Sequence, residues 1–370
     1  MNLHLRYRTR QPEFIWQVTV AILAVGAVIG LVVQASPEEV VGRALSEASD
    51  QAFDEQLDKL KGHAAAGEWG DVWWGIPHAC WLALVPAAAV LALLTGGCWF
   101  AVILQAGQPH RPNGIRWPLA VAGVLLGVLS VWPTLFADFW QERHGDLELS
   151  TQLADGLRYF ILSVGLREEL CKLLLFLPLL AWIIPRRRER EALLVAAMVG
   201  LGFAVEENSM YFATDAPDTA GRLLTANFMH MALTGLTGLA VCRGIWRPRE
   251  CGTQAIAIVL LAILLHGLYD ALIVLPALDG YSFFGTMLFI LLAYQFFSEL
   301  RYWWEPPGET VSLTATFLFS VATIVAATLV YISAHMGFQL AVQAAALPAV
   351  GLGVMVYMFL REMPESIIDV

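Results

Sequence analysis

Four short stretches of this chain carry residue types that move protons, in surroundings where such residues are rare. In GLREELCKLL, Glu168 and Glu169 are adjacent, and Lys172 lies four and three residues beyond them. On a helix that spacing lets Lys172 neutralise either carboxylate. Two glutamates so close do not both ionise comfortably in low dielectric, so one is expected to hold a proton while the other accepts one. In GFAVEENSMY, Glu207 and Tyr211 share a helical face, and Asn208 adds an amide donor suited to an oxyanion. His230 supplies an imidazole. In LLHGLYDAL, His266 and Asp270 are four apart, so the carboxylate can orient the ring or share a metal with it. Carboxylates that polarise water, with imidazoles and an amide beside them, are the parts of a hydrolase.

These residues are held by membrane helices. Hydrophobic residues make up 58% of the 370-residue chain and charged residues 15%, and the mean hydropathy is +0.63. A soluble domain of this length needs more charge. A helix crosses about 30 Å of hydrocarbon with roughly 20 apolar residues. Runs of that kind lie near 14–34, 80–106, 117–139, 157–184, 191–213, 223–244, 253–278, 282–302, 311–334 and 339–360. The expected fold is all-α, a polytopic bundle of about ten transmembrane helices. Inside those runs stand Arg167, Glu168, Glu169, Lys172, Glu206, Glu207, His230, His266 and Asp270. Five unpaired carboxylates facing lipid would cost on the order of 10–15 kcal/mol, so they must face one another or a wet cavity.

The basic residues orient the bundle. With the amino terminus in the cytoplasm, fourteen arginines fall on the cytoplasmic side and six basic residues outside, and every short cytoplasmic loop is basic. Both termini are then cytoplasmic, in a multi-pass protein of the plasma (inner) membrane. At 1.5 Å per residue, Glu168 lies about 16 Å below the outer surface, Glu207 about 9 Å, His230 about 11 Å, and Asp270 and His266 about 12 and 18 Å. Four helices thus deliver their polar residues to one layer in the outer half of the membrane.

The spans divide the chain into three regions. Residues 1–140 form a three-span module whose acidic outer loop, 35–75, is expected to contain a helix outside the membrane. Residues 141–302 hold the unusual polar residues, and 303–370 add two nearly apolar spans. Phe14–Val33 is too long for a secretory core and reads as an uncleaved span. The five cysteines form no metal spacing. Gly123, Gly127, Gly200, Gly202, Gly235 and Gly238 are expected to serve close helix packing. Pro133 and Pro178 are expected to mark kinks. The arginines of the RRRER loop are expected to set topology and to touch anionic lipid. A net charge of −10 offers no basic patch for nucleic acid.

At the polar stretches the sequence resembles the PrsW family of glutamic intramembrane proteases, relatives of the CAAX prenyl proteases and bacteriocin-immunity proteins. EELCK matches EExxK, and Lys172 in place of the relatives' arginine favours the PrsW branch. FAVEENSMY matches FAxxENxxY through Phe203, Ala204, Glu207, Asn208 and Tyr211. His230 with Gly238 matches HxxxxxxxG, and HGLYD matches the closing His motif. The four stand in the family's order, each on its own span, over roughly 150–300. The resemblance implies cleavage of a single-span, membrane-anchored protein, anti-sigma-factor-like, near the outer face. It implies Glu168 and Glu169 as water activators, Glu207, Asn208, His230 and His266 completing the site, Lys172 and Tyr211 supporting, and no cofactor. Asp270 stands where the family often has asparagine. The resemblance covers neither the acidic loop nor the last two spans.

Other readings compete. Read structurally, the glutamates and Lys172 are an ion-pair brace, each histidine is a packing residue, and Tyr211 is a bundle hydrogen bond. Cys171 lacks the basic surroundings of a thiol nucleophile. A metal-dependent protease would ligate zinc through Glu168, Glu207, His230 and His266, though no HExxH is present. A proton-coupled transporter would use the same buried groups as a relay, but there is no repeated half, and the charges occupy one layer rather than a path.

Overall fold

The computed structural model describes residues 7–33, 40–145, 147–214, 221–302 and 311–363. Arg6 and the start of the acidic loop, 35–39, lie outside them. Among the described residues there are thirteen α-helices and no strand. They are α1 (Pro12–Val33), α2 (Val40–Ala66), α3 (Trp69–Leu82), α4 (Pro86–Gly107), α5 (Trp117–His144), α6 (Leu153–Tyr159), α7 (Leu166–Ile183), α8 (Glu189–Thr214), α9 (Asn227–Trp246), α10 (Pro248–Val274), α11 (Phe283–Tyr302), α12 (Leu313–Met336) and α13 (Phe338–Glu362). Nine are long and apolar enough to cross a membrane. The span expected at 157–184 is helical from Leu153 to Ile183. It falls outside those nine because Arg167, Glu168, Glu169 and Lys172 sit in its apolar run. The chain is a polytopic helical membrane protein. Its outer end is the one that the arginines assign to the outside.

Some span boundaries depart from the sequence expectation. The run expected at 80–106 is divided: α3 ends at Leu82 and α4 begins at Pro86. Proline opens a helix without loss, since its missing N–H would have no partner there, and it holds Val85 extended. Pro276 likewise ends α10 early, through an extended Leu275. Pro133 and Pro178 lie inside α5 and α7, which continue through them. One residue, Gly337, separates α12 from α13, and its φ of 87° is a conformation that suits glycine.

Helix α8 is the hub, packing on α9, α5 and α4. Small residues permit the closeness. A Cβ on Gly127 would fall 2.0 Å from the Val199 carbonyl, and one on Gly202 2.0 Å from that of Val124. Gly235 and Gly238 press on Ala197 and Ala196 in the same way, as small-residue packing in lipid requires. The first and ninth expected spans meet: α1 runs along α12, with Gly26 against Ala326.

From Val40 on, the acidic loop contains helices, as expected. Helices α2 and α3 pair and rest on the outer end of α5. Trp73 stacks on Trp132 at 5.0 Å, and Trp132 donates to the Trp73 carbonyl. At the other end, the RRRER arginines turn inward more than the lipid-contact expectation allowed. Arg186 reaches Glu191, which Arg116 also binds at 2.8 Å. Arg188 and Arg190 donate to the carbonyls of Pro112 and Asn113. Arg187 stays exposed. Arg243 bridges Glu189 and Glu299. These pairs tie the short loops to the bundle.

Candidate active site

Two π-helical turns precede the site-bearing segments. Phe160–Gly165 leads into α7, and Arg222–Ala226 leads into α9. Such turns are rare and shift the angular register of the residues beyond them. The first is crossed by α10 with main chains touching. A Cβ on Gly165 would lie 2.5 Å from the Ile263 carbonyl, and one on Gly267 2.3 Å from that of Phe160. This contact brings Glu169, one turn beyond Gly165, against His266, the neighbour of Gly267. A Cβ on Gly200 would lie 2.3 Å from the His230 carbonyl, so α8 supports His230 directly.

The polar residues of four helices meet. Lys172 donates to Glu169 Oε1 at 2.7 Å and to His230 Nδ1 at 2.9 Å, with Glu168 Oε2 at 3.5 Å. Its ammonium also sits over the Phe203 ring, 4.1 Å from the centroid. Because Lys172 has only hydrogens to give, His230 Nδ1 accepts, and Nε2 bears the proton directed at Glu207 Oε2, 2.9 Å away. His266 Nδ1 is 2.8 Å from Glu169 Oε1, and its Nε2 is 3.4 Å from both Glu168 Oε2 and Asp270 Oδ2. The two imidazoles lie 5.0 Å apart at 79°. All of these residues except Asp270 are buried. Four carboxylates and one ammonium leave three negative charges in excess, which bound protons or a cation must offset.

The group has a front and a back. A cavity of about 330 Å³ is lined by Glu168, Glu207, Phe203 and Tyr211, together with Asp138, Tyr159 and Arg167. Phe53, Leu82, Ala83 and Val85, from α2 and the α3–α4 link, also line it. Glu169, Lys172 and both histidines stand behind that wall. Glu168 and Glu169, paired in the sequence expectation as joint water activators, therefore differ in position: one faces the cavity and the other is wholly buried.

Asn208 departs from its expected place. Its amide donates to Asn227 Oδ1 at 3.0 Å, and Asn227 donates to Thr95, so Asn208 ties α8 to α9 and α4 and does not line the cavity. Tyr211 lines the cavity but is 44% exposed. Asp138 was missed by sequence reasoning, being the last polar residue of an otherwise apolar run. The available signal was Arg167, a cation in the neighbouring span with no assigned partner. The two form an ion pair.

Residues 115–296 match the model of the PrsW family, described as intramembrane metalloproteases. Over this segment, just under half of the chain, the protein is similar to the PrsW family. No curated relative and no solved structure matches the chain. The PrsW segment contains α5 and every residue of the cluster, and it leaves out α1–α4 and α12–α13.

The PrsW description implies a metal, and the donors present suit one. Glu168, His230 and His266 each offer an atom within 4.8 Å of the others. Glu168 Oε2 is buried with no hydrogen-bond partner among the described residues. Glu169 on His266 Nδ1 leaves Nε2 as the ligating nitrogen, the usual support for a metal-bound histidine. His230 would ligate through Nε2 only after Lys172 gave its proton to Nδ1 and became the acceptor of that bond.

Proposed function

We propose that the chain is an endopeptidase of the membrane interior, cutting a single-span anchored protein near its outer face with glutamate-activated water. One observation carries this reading. Two carboxylates on one cavity wall, Glu168 and Glu207, are each backed by an imidazole, and both imidazoles are held from behind by the Glu169–Lys172 pair. Cavity water passes a proton to Glu168 as its oxygen attacks the peptide carbonyl carbon. His230, behind that wall, aims its Nε2–H at Glu207 and so fixes the second carboxylate at the cavity. Collapse breaks the C–N bond, and the proton on Glu168 passes to the leaving amine. Glu169 and Lys172 are positioning residues that fix the two ring tautomers. The protein acts in the plasma membrane, on a substrate such as a membrane-bound regulator.

A metal-dependent reading is the alternative, favoured by the spacing of Glu168, His230 and His266. A bound zinc ion would act as a Lewis acid and acidify its water. The Lys172 ammonium, 2.9 Å from one of those imidazoles, weighs against it.

Membrane proteomes of cells carrying the parent chain and Glu168→Ala plus Glu169→Ala test the proposal. A fragment should vanish while its precursor accumulates. Variants present at parental level, with every fragment persisting, would overturn the protease reading. Metal content then divides the two mechanisms. Stoichiometric zinc, with activity lost to a chelator and restored by zinc, selects the metal; activity in metal-free protein selects the carboxylates.

A further inference from the structure

A second polar group shares the cavity with Glu168 and takes no part in the proposed hydrolysis. Arg167, 9% exposed, donates through Nη1 to Asp138 of α5, to Ser163 Oγ at 3.1 Å and to Gln141 Oε1 at 3.4 Å. Ser163 also donates to Gln141 at 2.9 Å. The guanidinium Nε is buried and has no hydrogen-bond partner among the described residues. Both Arg167 and Asp138 line the cavity, and the Asp138 side chain is 31% exposed. The group thus places a fixed cation, with a spare N–H just beneath the surface, beside a carboxylate on the wall that also carries Glu168.

A peptide bond to be cut inside a membrane has to leave its helix, because helical carbonyls are engaged four residues on and shielded by side chains. Once extended, its N–H and C=O groups lose their partners, at several kcal/mol each in an apolar medium. A cavity that receives such a segment must therefore offer donors and acceptors of its own. Around Glu168, Arg167 and Asp138 provide one of each. Were the pair only a brace between α5 and α7, a partnered guanidinium away from the cavity would serve as well.

We infer that Arg167 and Asp138 form a main-chain subsite that holds the unwound substrate segment beside Glu168, Arg167 Nε donating to a substrate carbonyl and Asp138 accepting a substrate N–H. The inference rests on the protease reading for its purpose, but binding can be measured without cleavage. The probes are two synthetic single-span peptides with a photo-crosslinking residue near the outer end, one with a Gly-Gly-Ser helix break there and one with an unbroken helix. They are titrated onto the full-length chain in lipid nanodiscs.

The wild-type chain should capture the broken helix in preference to the unbroken one. The neutral pair Asp138→Asn with Arg167→Gln should weaken capture of the broken peptide about tenfold, the effect of losing a hydrogen bond to a charged donor. The exchange Asp138→Arg with Arg167→Asp keeps an ion pair between α5 and α7. It should restore the melting temperature without restoring capture. Equal capture of both peptides by the wild-type chain would overturn the inference. So would wild-type capture by the exchanged pair, which would leave Arg167 a structural brace. If the wild-type chain captures the broken helix, loses it on neutralisation of the pair, and yet cleaves nothing, the subsite stands and the protease reading falls.

Discussion

In α8, 83% of the apolar stretch is buried inside the bundle, whereas in α1 and in α13 the figure is 22%. The two most buried spans, α8 and α9, are also the least apolar of the nine, and α1 is among the most apolar. At these extremes the apolar side chains lie on the outer rim, and the polar ones gather where helices meet other helices. Glu207, Asn208 and His230 belong to the interior pair. Along the exposed face of α1 stand Val20, Val25, Val28 and Val32, with no charge among them. A carboxylate is tolerated in this protein according to its neighbours, not its depth.

The largest effect should come from emptying the interior of its chemistry. Glu168→Gln keeps shape and volume and should lower cleavage about 10³-fold, with the chain still present in membranes at parental level; residual activity within tenfold of wild type would remove Glu168 from the reaction. Next is a carboxylate moved to the rim. Val28→Glu, on a 59% exposed site, should cost about 2.5–3.5 kcal/mol of insertion free energy. Glycosylation mapping of α1 reads it, and unchanged insertion would break the contrast between interior and rim. A matched pair of glycines comes third. Gly200→Ala sets a methyl against the His230 carbonyl, whereas Gly353→Ala meets nothing within 4 Å. The first should cost about 1–3 kcal/mol and the second close to nothing, as seen by melting in detergent. Smallest is Asn208→Ala, which removes one interhelical hydrogen bond and should cost about 0.6 kcal/mol. If its main effect were on cleavage rather than melting, Asn208 would return to the oxyanion role that its sequence position suggested.

The sequence carried the spans because lipid demands long apolar runs, and it carried the layer of polar residues because rise per residue converts position into depth. Glu169, Lys172, His230 and His266 were therefore legible as neighbours from residue positions alone. What it did not carry depends on rotation and on local breaks. Whether Glu168 or Glu169 faces the cavity is decided by the π turn at Phe160–Gly165, which no residue type announces. Asp138 was hidden at the end of an apolar run, although an unpartnered Arg167 required an anion nearby. The run at 80–106 looked continuous because its break is made by Pro86 without any loss of apolarity. Asn208 matched an expected motif, but its amide direction is fixed by Asn227, nineteen residues away on another helix.

The single glycine between α12 and α13 has a consequence for how the rim stays attached. Helix α13 buries little of itself, so side-chain contact alone gives it weak hold on the bundle. A one-residue tether keeps it at high effective concentration beside α12, and almost no loop entropy opposes its return after each separation. Covalent proximity thus replaces contact area. Lengthening that link with flexible residues would loosen α13 while leaving every one of its contacts chemically intact.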